Sequence, residues 1–148
     1  MSLPPFSLII PAAGAGKRMG TDVPKPYLYL KGKTVLERTL SCFKGMDTLQ
    51  QVVVATSAAY TEQTSEMLER LFEDIDTVVV SGGERRQDSI YNALQKVAAS
   101  IEYVAVHDAV RPFVTHKRIS ECLGQSKTVG AAIIGVPVKD TIKRVSDE

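Results

Sequence analysis

The sequence predicts an open α/β fold: a mostly parallel, Rossmann-like sheet with helices on both faces. Three observations carry that expectation. Five short apolar segments rich in β-branched residues recur along the chain: Leu8 to Pro11, Gln51 to Thr56, Thr77 to Ser81, Tyr103 to His107 and Ala131 to Val136. They read as runs rather than alternations, the pattern of strands buried on both faces. The spacers carry helical periodicity, and strand alternating with helix builds a parallel sheet. Chemically loaded residues gather directly after the runs, where ligands sit in such folds.

Taken in order, Met1-Ser2-Leu3-Pro4-Pro5 is a short extended lead-in without the charged-then-apolar layout of a secretory signal. Thr34 begins a capping-box pattern with Glu37, after which Val35, Leu36, Thr39, Leu40 and Phe43 fall on one helical face. Met67, Leu68, Leu71 and Phe72 mark a second helix, Ile90, Ala93, Leu94 and Val97 a third, and Ile119, Cys122 and Leu123 a fourth. With 148 residues, 44% apolar and 24% charged, and no repeat or linker, the chain is expected to fold as a single domain over 1–148. No apolar stretch reaches the roughly 18 residues of a membrane span, so no membrane partner is expected. Cys42 and Cys122 are isolated, which disfavours a disulfide or metal framework and fits a reducing, cytoplasmic setting. A net charge of +1, without a basic face studded with aromatics, disfavours a nucleic-acid partner.

The first loop is the most informative. An apolar run stops at Pro11, passes through Ala12-Ala13-Gly14-Ala15-Gly16 and meets Lys17 and Arg18, with Lys25 seven residues beyond Arg18. Small residues let backbone N–H groups approach an oligophosphate, and the cations neutralise charge that the amides alone cannot. The dinucleotide fingerprint fails because Met19 occupies its sixth place, and no Gly-Lys-Ser/Thr completes a P-loop. Taken alone, the loop is also compatible with an ordinary glycine-rich turn bearing solvated cations.

Three further loops add chemistry. After the third run, Gly82-Gly83 permits close backbone approach, and Arg86 and Ser89 project from nearly one side of the following helix. Ser89 is placed either to hold a base edge or sugar hydroxyl, or simply to satisfy the helix end. After the fourth run, Asp108 is a rigidly held carboxylate suited to a divalent ion bridging phosphates. Arg111 is placed to pair with Asp108, Glu84 or a substrate anion, and His107 reads as scaffold rather than catalyst. After the fifth run comes Val138-Lys139-Asp140-Thr141-Ile142-Lys143. No serine lies in a nucleophile elbow and no cysteine lies in a loop.

Together, Pro11-Ala12-Ala13-Gly14-x-Gly16-x-Arg18-Met19, Pro24-Lys25, Gly82-Gly83-x-x-Arg86-x-x-Ser89, His107-Asp108-Ala109-x-Arg111-Pro112 and Asp140-Thr141-x-Lys143 resemble the 2-C-methyl-D-erythritol 4-phosphate cytidylyltransferases. The resemblance implies a nucleotidyltransferase-type fold and transfer of CMP from CTP to methylerythritol phosphate in non-mevalonate isoprenoid synthesis. It further implies release of pyrophosphate and a need for Mg²⁺. It implies that Arg18 and Lys25 are catalytic, that Ala12, Ala13, Gly14, Gly16, Gly82, Gly83, Arg86 and Ser89 bind CTP, and that Asp108, Arg111 and Thr141 contact the acceptor, with Asp108 also at the metal. The attacking phosphate oxygen is already anionic near neutral pH, with a second pKa of about 6, so no general base is required.

Two departures from the family stand out. Pro26 replaces a usually polar residue, and the chain ends at Glu148, before the family's dimerisation arm and a later lysine. The expectation is a truncated chain whose homodimer partner would normally be reached through that arm. Alternatives are a pentitol (ribitol) 5-phosphate cytidylyltransferase, which shares the turn at Asp108 to Phe113 but tends to begin Ala-Gly-Gly, and a catalytically incomplete CTP-binding fragment. A dinucleotide-dependent oxidoreductase fits least, because no acidic residue closes a second strand about 20 residues on.

Overall fold

The computed structural model describes residues 3–14 and 23–143. Of the site residues expected from sequence, Gly16 and Arg18 lie outside the described residues. The central strand is β1 (Phe6–Pro11), hydrogen-bonded in parallel to β4 (Leu49–Thr56) on one edge and to β6 (Tyr103–Val106) on the other. A further parallel strand, β5 (Asp76–Ser81), pairs with β4, giving the order β5-β4-β1-β6. Chain direction across the sheet reverses between β1 and β6, which places a crevice beyond their carboxyl ends.

The apolar runs divide between two faces because side chains alternate along a strand. Phe6, Leu8 and Ile10 of β1 and Val52 and Val54 of β4 point into one layer. That layer is closed by Leu36 and Leu40 of α1 (Val35–Ser41), Met67, Leu68 and Leu71 of α2 (Thr61–Leu71), and Ile119 and Leu123 of α4 (His116–Val129). Ile9, Val53 and Ala55 point the other way, against Ala93 of α3 (Arg86–Leu94) and the following Val97. Full burial of one such aliphatic side chain contributes roughly 1.5–3 kcal/mol, so both layers stabilise the sheet. The expected α/β architecture with helices on both faces is therefore observed.

Local signals explain most boundaries. Thr34 caps α1 by accepting from the Glu37 N–H at 3.1 Å, and Gly130, at φ 87°, closes the C-terminus of α4. The Glu37 carboxylate does not reach back to complete the capping box; it meets Arg70 Nη1 at 3.0 Å and Lys33 Nζ at 3.6 Å. A small antiparallel hairpin, β2 (Tyr29–Leu30) with β3 (Lys33–Thr34), was not expected from the apolar runs. Its turn is Lys31-Gly32, both at positive φ (49° and 79°), the geometry of a tight two-residue hairpin.

One expected strand is absent. Residues 131–136 carry no regular secondary structure, and Ile133 and Val136 are 94% and 86% exposed. A β-branched run becomes a strand only when a neighbour pairs its N–H and C=O groups, and none of the described strands pairs with this one. No helix among the described residues is long and apolar enough to cross a membrane.

The Glu37 cluster predicts an acid-sensitive contribution to stability. Hydrogen bonding from Arg70 outweighs burial and holds the Glu37 carboxyl below its usual value, with Lys33 adding charge. A depressed folded value means the contribution is present above the unfolded carboxylate pKa and is lost as pH falls through the folded one. Thermal melts between pH 7 and pH 3 should therefore decline less steeply for Glu37→Gln than for the parent; identical slopes would contradict the assignment.

Candidate functional site

The crevice at the reversal point is built by four segments. β1 runs into Pro11-Ala12-Ala13-Gly14, with the Ala12 N–H donating to Ala55 O at 2.7 Å. A 3-10 turn at Lys25–Tyr27 supplies a second wall, the Gly82 to Arg86 loop after β5 a third, and the loop after β6 a fourth. They enclose a cleft of about 270 Å³ lined by, among others, Ala12, Ala13, Gly14, Lys25, Gly83, Arg86, Ser89 and Asp108. Most of the nucleotide-loop residues expected from sequence thus meet in one place. Lys25 is half-buried in the wall; its carbonyl accepts the Leu28 N–H, while its side-chain ammonium has no hydrogen-bond or ion-pair partner among the described residues.

The glycines serve different ends. A Cβ on Gly14 would meet nothing within 4 Å, so the space before it is open to a guest. A Cβ on Gly82 would lie 2.0 Å from Ala13 Cβ, and one on Gly83 would lie 2.3 Å from Asp88 Cβ. Those two positions need glycine because the loop after β5 packs against the loop after β1 and against α3, a use distinct from the close ligand approach expected of them. Ser89 is likewise committed within the fold. Its Oγ accepts the Gly83 N–H at 3.1 Å and donates to Arg85 O at 3.4 Å, and the residue is buried. Arg85, also at the cleft, forms an ion pair with Asp88, whose carboxylate accepts the Arg85 N–H at 3.0 Å.

Asp108 lies between two guanidiniums. Its Oδ1 accepts from Arg86 Nη2 at 2.7 Å and Nε at 3.0 Å, and its Oδ2 accepts from Arg111 Nε at 2.9 Å. Partial burial alone would raise this carboxyl, but the hydrogen bonds and charges of Arg86 and Arg111 outweigh it and hold the group below the usual range. The trio forms the partition between the cleft and a neighbouring groove of about 820 Å³, which Arg111 and Arg118 also line. Arg111 is thus placed on the far side of the partition from Lys25. Both Asp108 oxygens are occupied by cations, and among the described residues no three His, Cys, Asp or Glu side chains come together. A resident metal site at Asp108 does not fit this arrangement.

Other expected residues fall elsewhere. Thr141 is exposed in a segment without regular structure and does not line the cleft. His107 acts as scaffold: its Nε2 donates to Arg111 O at 3.1 Å and its ring packs edge-on against Phe43. Sequence reasoning missed the supports behind the loop after β6, Thr39 donating to Ala109 O at 2.8 Å and Cys42 Sγ to Pro112 O at 3.2 Å. Thr39 falls on the apolar face of its helix in the sequence and Cys42 caps that helix, so neither position signals a contact to a distant loop.

Comparison with known proteins adds to this geometry. The family model for 2-C-methyl-D-erythritol 4-phosphate cytidylyltransferase matches residues 6–148. The cytidylyltransferase of that name from Bacillus mycoides (strain KBAB4) is 41% identical over 140 residues, covering 95% of this chain and 62% of the relative. Its counterpart from Clostridioides difficile (strain 630) is 37% identical over 142 residues, covering 96% and 60%. A solved 4-diphosphocytidyl-2C-methyl-D-erythritol synthase from Anaerococcus prevotii DSM 20548 superposes with a TM-score of 0.78 at 25% identity, covering 97% of this chain and 60% of the other. The chain therefore spans less than two thirds of the length of these relatives. With the match running from the first strand to the end of the sequence, the chain belongs to the 2-C-methyl-D-erythritol 4-phosphate cytidylyltransferase (IspD) family.

Proposed function

We propose that this chain provides the nucleotide-binding and catalytic part of a cytidylyltransferase that transfers CMP from CTP to 2-C-methyl-D-erythritol 4-phosphate and releases pyrophosphate. The observation that carries the reading is the convergence of Ala12 to Gly14, Lys25, Gly83 and Arg86 on one cleft at the sheet's reversal point, in a chain of this family. The triphosphate lies along the open backbone before Gly14, and the acceptor phosphate enters from the groove beyond the Arg86–Asp108–Arg111 partition. The reaction asks the site to align two anions and to neutralise charge building on the α-phosphate. Lys25, whose ammonium has no partner among the described residues, supplies positive charge at little reorganisation cost, and Arg18 is assigned the same task by family resemblance.

A divalent cation accompanying CTP as its counterion would screen the phosphates. Homodimerisation and a cytoplasmic setting are part of the same proposal, taken from the family. A second reading, CTP binding without turnover, is favoured by Thr141, the expected acceptor contact, lying away from the cleft. Calorimetric titration with CTP, followed by a pyrophosphate-release assay with methylerythritol phosphate and ribitol phosphate offered separately, tests both. Binding plus release with methylerythritol phosphate supports the transferase; binding without release supports the second reading; absence of CTP binding refutes both.

Two substitutions probe the walls. Lys25→Met should lower turnover, or CTP affinity where no turnover is measured, by about a hundredfold with an unchanged melting temperature; a near-normal protein would remove Lys25 from the site. Gly82→Ala should force the first and third loops apart, destabilising the fold by about 1–3 kcal/mol and weakening CTP binding. A Gly82→Ala protein that melts and binds like the parent would show that the Ala13 approach is not required.

A further inference from the structure

Lys25 reaches the cleft from a single 3-10 turn, Lys25–Tyr27, and its ammonium has no hydrogen-bond or ion-pair partner among the described residues. What holds the turn is two residues further on. Tyr27 is buried, its ring stacks on Tyr60 with centroids 3.9 Å apart and planes at 14°, and its hydroxyl meets both Thr56 Oγ1 and, at 2.9 Å, Thr64 Oγ1.

The direction of these hydrogen bonds can be worked out. Thr64 Oγ1 spends its one proton on Tyr60 O, 2.6 Å away, so toward Tyr27 it accepts. The Tyr27 O–H therefore donates to Thr64, and Thr56 O–H donates to Tyr27. The result is one ordered chain from Thr56 through Tyr27 and Thr64 to the Tyr60 carbonyl. Burial raises the phenol's pKa, keeping it protonated and able to fill its place in the chain.

Thr56 has a second attachment. It ends β4, and its carbonyl accepts the Gly82 N–H at 2.8 Å. One residue thus joins the Lys25 wall of the cleft to the Gly82 wall opposite. Between Lys25 and the anchor stands buried Pro26, whose ring fixes φ and stiffens the link. The departure from the family at Pro26 is therefore compatible with a well-placed Lys25, because the turn is clamped from Tyr27.

We infer that Tyr27, held between Thr56 and Thr64, is the positioning residue that sets Lys25 in the nucleotide cleft; the inference rests on the CTP reading above. The test is a double-mutant cycle on the 148-residue chain, comparing the parent, Tyr27→Phe, Lys25→Met and the double variant by calorimetric CTP affinity and by amide hydrogen exchange. Tyr27→Phe keeps the stacked ring and removes only the hydroxyl. Expected are a roughly tenfold loss of CTP affinity when Lys25 is present, no further loss in the Lys25→Met background, and faster exchange at Leu28 and Gly82. Thr56→Val should reproduce these effects, and Thr56→Ser should restore the parent; these variants carry the comparison if Tyr27→Phe does not fold.

Equal losses of affinity in both backgrounds would overturn the inference, because they would show general loosening rather than action through Lys25. Unchanged affinity and exchange in Tyr27→Phe would overturn it as well, while leaving the CTP reading intact. If the parent and Lys25→Met bind CTP equally, or neither binds, the reading of Lys25 fails and the inference falls with it.

Discussion

The constraint on which the molecule depends is that β1 is hydrogen-bonded along both edges and buried on both faces. Ile9 shows this most simply: it registers with Val53 on one side and Val106 on the other, and it packs beneath α3. A strand in that position has almost no freedom to shift, because a slip of one residue would move Phe6, Leu8 and Ile10 out of one apolar layer and into the other. The backbone leaving it at Pro11 is therefore delivered to a fixed point. The neighbouring strands deliver theirs likewise: Ala12 N–H bonds to Ala55 O beyond the strand's end, and His107 N–H bonds to Ile9 O.

From that fixed point the site is assembled by loops that brace each other. The Ala13 side chain fills the space that a side chain on Gly82 would need. Gly82 is tied to Thr56, Thr56 to Tyr27, and Ser89 to Gly83. Because these bonds are made within the protein, the cleft is preorganised, and preorganisation of this kind is what the proposed transfer chemistry would require of its site. Among the described residues, the Lys25 ammonium makes no internal bond and the space at Gly14 is open.

The Arg86–Asp108–Arg111 trio gives the site its electrostatic character. Two guanidiniums share one carboxylate, so the cluster keeps a net positive charge while each cation stays oriented. The side chains of Arg86 and Arg111 are 59% and 71% exposed, so these ion pairs contribute little to folding. Their value lies in placement: Asp108 holds Arg86 at the cleft and Arg111 in the adjoining groove. The same arrangement explains why a carboxylate that reads as a metal ligand in the sequence is here a partner for cations.

Four of the five strands expected from the sequence form, as do all four expected helices, because each is specified by its own residues: apolar runs for the strands, a capping threonine or an apolar stripe for the helices. The Lys31-Gly32 hairpin escaped notice because its strands are two residues long and carry no run. The segment from Ala131 failed in the opposite sense, since its β-branched residues state a propensity that only a pairing edge can turn into a strand. By itself, then, the sequence determined the layered α/β architecture and which loops bear glycine, cation and carboxylate. Tertiary structure alone decided what those groups do: Arg86 finds Asp108 across 22 residues of chain, and Tyr27 finds Thr56 across 29 and Thr64 across 37. Such partners are fixed by the order of strands in the sheet, which no local pattern encodes.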